Sequence, residues 1–162
     1  MKRTEEKVGH LLKRWGETIS VAESCTGGLI AHRITNVSGS SDYFDSGIVS
    51  YSNQAKVELL GVPLSLIDQY GPLSEPVART MAEGIRSKRK TTIGLATTGV
   101  AGPLGGMSET PVGTVFIALA RPGGTVVRRF HFEGTRTMIK RLAAEKALQM
   151  VLEYSTSHER DG

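Results

Sequence analysis

Thr18-Ile19-Ser20-Val21-Ala22-Glu23-Ser24-Cys25-Thr26-Gly27-Gly28-Leu29-Ile30-Ala31-His32-Arg33-Ile34 is the stretch from which the architecture follows. Its first five residues are β-branched or small and read as a short buried strand. Leu29 to Ile34 has the spacing of a helix. Between them lies a turn of small residues ending in two glycines. A buried strand running through a glycine turn into a helix is the unit from which α/β folds are built.

Outward from this unit the pattern repeats. Residues 3–15 carry Val8, Leu11, Leu12 and Trp15 at helical spacing, and Gly16 is placed to end that helix. Tyr43 to Tyr51 reads as a second strand. Asn53 is placed to cap a short helix through Ala55, Val57, Leu59 and Leu60, which Gly61 closes. A linking segment with Leu64, Leu66 and Ile67 leads to Ser74-Glu75-Pro76, read as an N-cap with proline in the first turn of a helix over about 75–88. Thr92 to Thr97 reads as a central strand breaking at Gly99. Val112–Ala120 and Thr125–Phe132 alternate as strands joined by Arg121-Pro122-Gly123-Gly124, a hairpin. Ile139, Ala143, Ala147, Met150 and Tyr154 mark a C-terminal helix, with residues 155–162 expected to fray. The expected fold is a single-domain three-layer α/β/α sandwich with a mixed sheet, spanning 1–162.

Composition narrows the class. Hydrophobic residues at 39% and charged residues at 22% describe a globular chain rather than a disordered tail. No apolar run reaches the ~18 residues of a membrane span, and the start lacks a secretory signal, so a soluble, cytoplasmic protein is expected. The single cysteine, Cys25, rules out an intrachain disulfide and a multi-cysteine zinc site. The net charge is +4, but the bases are dispersed and aromatics are only 6%, which argues against a nucleic-acid binder and leaves room for an anionic small molecule.

The chemistry-bearing candidate is Glu23–Gly28. At a helix start, unpaired N–H groups favour an anion or a developing oxyanion. Two readings are open: Ser24 or Thr26 caps the helix, or a hydroxyl there is a nucleophile. Cys25 is a rival nucleophile, or a small buried hydrophobe. A nucleophilic serine needs a base. His10, His32, His131 and His158 show no metal-ligand spacing, and nothing singles one out. Lys56 stands in a stretch of low charge, and a buried lysine can be neutral enough to act as a base; a solvated helix lysine is the competing reading. The loop Gly99–Gly106 is neither a Walker A nor a dinucleotide fingerprint, yet it places several N–H groups after a strand.

Ala22–Gly28, Gly39-Ser40-Ser41, Tyr51–Lys56, Ser74-Glu75-Pro76, Thr98–Pro103 and Pro111–Val115 together, in order over nearly the whole chain, closely resemble the CinA C-terminal domain family, the nicotinamide-nucleotide amidohydrolases or NMN deamidases. The resemblance implies hydrolysis of the carboxamide of nicotinamide mononucleotide by a Ser-Lys mechanism without metal or cofactor. It implies Ser24 as nucleophile and Lys56 as base. Cys25, Thr26, Gly27, Gly28, Tyr51, Asn53, Thr98, Gly99, Val100, Ala101 and Gly102 would line the substrate site, and Arg136 would bind phosphate. It also implies a homo-oligomer. Thr110 and Leu104 depart from the family pattern, in which a basic and a more polar residue stand there. The alternative is a non-catalytic module that binds a pyridine nucleotide or a partner, associated with competence or DNA damage.

Overall fold

The computed structural model describes residues 1–157, and it places six α-helices around one five-stranded sheet. In chain order these are α1 (Thr4–Trp15), β1 (Ile19–Glu23), α2 (Leu29–Thr35), β2 (Phe44–Val49), α3 (Asn53–Leu60), α4 (Leu64–Tyr70), α5 (Glu75–Arg89), β3 (Ile93–Gly99), β4 (Thr114–Arg121), β5 (Gly124–His131) and α6 (Arg136–Ser157). The strand order is β2-β1-β3-β4-β5. β1 pairs in parallel with both β2 and β3, whereas β4 runs antiparallel to β3 and β5 antiparallel to β4. The mixed sheet expected from the sequence is therefore present. None of the described helices is long and apolar enough to cross a membrane.

Strand alternation sorts the core into two halves. Ile19, Val21, Ile93, Leu95, Val115, Ile117 and Leu119 point to one face and pack with α1, α2 and α6. Ala22, Ala96, Phe116, Ala118 and Ala120 point to the other and pack with α5. The second face is paved with small residues because α5 lies close to it. A methyl group on Gly94 would run into the Ala82 carbonyl and the Arg86 side chain.

Local details differ from the sequence expectations for identifiable reasons. Ser52, not Asn53, caps α3: the Ala55 N–H donates to Ser52 Oγ at 3.0 Å. Ser74 stands at the N-cap of α5 but turns its hydroxyl back onto the Gly71 carbonyl, at 2.8 Å. Leu64 to Tyr70, expected as a link, is helix α4, with Ile67 buried under it. Trp15 sits on the exposed end of α1, where the Arg14 guanidinium lies 5.6 Å from its ring centroid. α6 stays helical through Ser157 because Tyr154 and Ser155 are buried, so the expected fraying does not begin at 155. Residues 158–162 lie outside the described residues.

Candidate active site

The carboxyl ends of the three parallel strands meet on one edge of the sheet, where open α/β folds place ligands. β1 delivers Ser24, β2 delivers Ser50 and Tyr51, and β3 delivers the glycine loop.

The turn after β1 is held by its neighbours. The Ser24 N–H donates to the Thr97 carbonyl at 3.0 Å and the Gly27 N–H to the Ser24 carbonyl at 3.0 Å. The α2 start is capped by neither Ser24 nor Thr26. The buried Glu23 carboxylate does it, accepting the Ile30 N–H at 2.9 Å, the Ala31 N–H at 3.1 Å and the Thr26 hydroxyl at 2.6 Å. Thr26 Oγ1 also lies 2.8 Å from Thr97 Oγ1. With the cap supplied from the strand, the Ser24 hydroxyl is left for another partner. The Cys25 and Thr26 N–H groups donate to no backbone carbonyl outside the regular elements.

That partner is Lys56. The Ser52 cap sets the rotation of α3 so that Lys56 and Leu60 face inward. Lys56 is only 2% exposed, and its Nζ lies 3.1 Å from Ser24 Oγ, 2.9 Å from the Ser50 carbonyl oxygen and 3.5 Å from that of Tyr51. No carboxylate forms an ion pair with it among the described residues. Burial without a counter-charge pushes the amine below the ordinary lysine value, only partly offset by Cys25 nearby. A neutral amine has two protons and one lone pair. In that form its two protons would serve the Ser50 and Tyr51 carbonyls and its lone pair would face the serine hydroxyl.

Cys25 is the poorer nucleophile. Burial pushes its thiol up to about 12, only partly offset by its own backbone N–H, with the Glu23 charge adding a smaller push upward and the Thr97 hydroxyl a still smaller one downward. A protonated thiol is inert.

The chain matches the CinA C-terminal domain over residues 1–155. It belongs to that family. A CinA-like protein of Syntrophus aciditrophicus is 52% identical over 151 residues, covering 93% of this chain and 36% of that protein. One from Geobacter sulfurreducens is 50% identical over 141 residues, 87% of this chain and 34% of that protein. The chain thus spans about a third of the length of these relatives. Among solved structures, a competence-damaged protein (CinA) superfamily protein from Klebsiella pneumoniae superposes with a TM-score of 0.91 at 30% identity, covering 96% of this chain and 99% of that one. The competence/damage inducible protein CihA from Agrobacterium tumefaciens gives 0.88 at 34% identity, covering 94% and 98%.

In this CinA C-terminal domain, a pocket of about 250 Å³ opens over Ser24 and Lys56. Cys25, Tyr51, Asn53, Gly99, Val100, Ala101, Gly102 and Arg136 line it, as do Leu104 and Gly105. Arg136 opens α6 and reaches across the mouth, donating to the Gly102 carbonyl at 2.7 Å and to the Tyr51 hydroxyl at 2.9 Å. Leu104 is 85% exposed at the rim. Thr26, Gly27 and Gly28 line a different cavity, across the turn. Thr98 is fully buried and donates to the Pro72 carbonyl at 2.9 Å, bracing the Pro72-Leu73 wall rather than facing the pocket. Thr110 sits with Tyr70 and Met107 in a third depression.

Sequence reasoning missed Pro72 and Leu73, the Ser50 carbonyl and the Glu23 cap. A main-chain carbonyl leaves no mark in a sequence. Pro72 and Leu73 fall in the stretch before Ser74, where nothing in the residue pattern marks a place beside the pocket. His10, His32 and His131 do not line this pocket, and His158 is outside the described residues.

Proposed function

We propose that this CinA C-terminal domain is an amidohydrolase that converts nicotinamide mononucleotide to nicotinic acid mononucleotide and ammonia. The observation that carries the reading is the buried Lys56 amine, 3.1 Å from Ser24 Oγ and free of any carboxylate partner among the described residues. Such an environment disfavours the charged amine, which suits a lysine that works as a base.

In this reading Lys56 takes the Ser24 proton as Oγ attacks the carboxamide carbon. The Cys25 and Thr26 N–H groups, which donate to no backbone carbonyl, are assigned to the oxyanion in this reading. The tetrahedral species collapses by breaking the C–N bond, and Lys56 returns the proton to the departing ammonia. Water then attacks the acyl-serine ester, Lys56 accepts its proton, and Ser24 Oγ leaves with it. Arg136, which has no carboxylate partner among the described residues, is placed to meet the nucleotide phosphate. The reading includes a cytoplasmic protein working as a homo-oligomer, which size-exclusion chromatography with light scattering tests.

The deciding experiment is ammonia release from nicotinamide mononucleotide by the wild type and by Ser24→Ala and Lys56→Ala. Each substitution is expected to lower kcat by about 10²–10⁴ or more, the usual worth of a general base or nucleophile. Turnover undiminished in either variant refutes the assignment.

A further inference from the structure

We propose that the cavity across the Thr26–Leu29 turn from Ser24 is a second anion site, suited to a phosphoryl group. It is an open depression of about 330 Å³ between the start of α2 and the first two turns of α6, with Lys140, Arg141 and His32 around Gly27 and Gly28. The space is comparable in size to the pocket over Ser24, yet no chemistry described above uses it.

The charges in it are uncompensated. Neither Lys140 nor Arg141 forms an ion pair among the described residues. The carboxylate within helical reach of Arg141 is Glu145, four residues on, and its oxygens are already taken. Oε1 accepts from Thr4 at 2.6 Å and from Gln149 at 2.9 Å, while Oε2 holds Arg33 at 2.7 Å. Glu23, just behind the turn, points away into the α2 amides and the Thr26 hydroxyl. The first turn of α6 offers no acidic residue either. Two cations thus face one cavity while Glu145 and Glu23 are committed elsewhere.

The far wall lets a ligand come close. Gly27 has φ +60 and is exposed, and a methyl group there would meet Lys140 Nζ at 3.3 Å. The ammonium therefore lies over the bare glycine turn. A lysine point charge beside an arginine fork is a donor set for phosphate oxygens. A polyanion such as nucleic acid would need more bases and stacking aromatics than this surface has. Arg136 and Lys140 are four residues apart on one helix face, so the site adjoins the catalytic pocket through α6. The phosphoryl group belongs either to a nucleotide reaching across from that pocket or to a free phosphate or pyrophosphate.

The test is calorimetric titration of inorganic pyrophosphate into the full chain, which needs no turnover and so stands or falls apart from the deamidation reading. Saturable binding is expected in the wild type and in Ser24→Ala. A Lys140→Gln/Arg141→Gln double variant should bind at least tenfold more weakly, and Lys140→Arg should keep the affinity. Unliganded thermal melts matching the wild type establish that the variants are folded. Titration of Ser24→Ala already loaded with nicotinamide mononucleotide separates the two sources. Mutual exclusion indicates a nucleotide spanning both pockets, whereas independent binding indicates a separate small anion. Absence of saturable binding in the wild type, equal binding by the double variant, or loss of binding in Arg136→Ala alone overturns the proposal.

Discussion

Glu23 Oε1 accepts the Ile30 N–H at 2.9 Å, so a carboxylate at the end of β1 caps a helix that begins at Leu29. The bond closes the turn from inside and spares the Ser24 hydroxyl that duty. Glu23→Gln keeps the shape but sets an amide –NH₂ against a backbone N–H. A loss of about 1–3 kcal/mol is expected, the cost of an unmatched buried polar group. Urea denaturation measures it, and a midpoint equal to wild type would contradict the capping role.

Lys56 makes stability depend on pH in a defined direction. Its folded value is lowered, so between that value and 10.5 the unfolded chain binds more protons than the native one. Stability therefore rises with pH through this window, and the penalty is complete below the folded value. Lys56→Met should remove that contribution, flattening the slope of unfolding free energy against pH. In the amidohydrolase reading, kcat/KM of the wild type rises with pH through the same lowered value. Denaturant titrations at several pH values check the first expectation and steady-state rates the second.

Cys25 lines the pocket, but its thiol value of about 12 leaves almost no thiolate at neutral pH. Cys25→Ala is expected to keep kcat within about threefold, since only a small group is lost. Iodoacetamide should spare the native protein and label it in urea, as intact-mass spectrometry reads. Rapid labelling of the native chain would reopen the thiol as a nucleophile.

Arg136 bridges Gly102 and Tyr51 over the pocket mouth. If it meets the substrate phosphate, Arg136→Ala raises KM for nicotinamide mononucleotide by about 10–100-fold, the worth of a charge-assisted contact, with a smaller change in kcat. A collapse of kcat at unchanged KM would instead place the guanidinium in the chemical step.

The strand-turn-helix reading of residues 18–34 was legible because burial and periodicity change type within a few residues. The hairpin was legible for the same reason. Helix α4 was not: Leu64 and Ile67 span too few turns to establish a period, and no polar cap precedes Leu64. The cap of α2 was missed because Glu23 stands well upstream of Leu29, whereas a cap is sought next to the first helical residue, which pointed to Ser24 or Thr26. Ser24 and Cys25 were visible as alternatives, both are buried alike, and what sets them apart is the 3.1 Å contact between Ser24 Oγ and Lys56 Nζ. Lys56 looks like any helical lysine until its amine is seen among the Ser50 and Tyr51 carbonyls. Thr98 and Thr26, both polar and beside glycines, turn out to spend their hydroxyls on neighbours within the fold.

Ser24 and Lys56 both come from the first crossover, β1-α2-β2-α3, whereas much of the rim over them comes from the loop after β3 and from Arg136. On that assignment, reactivity and much of the selectivity are written in separate stretches of chain. In the amidohydrolase reading, exchange of residues 102–105 retunes what is admitted while Ser24 and Lys56 stay untouched, which makes that loop the natural place to graft a new appetite onto the same scaffold.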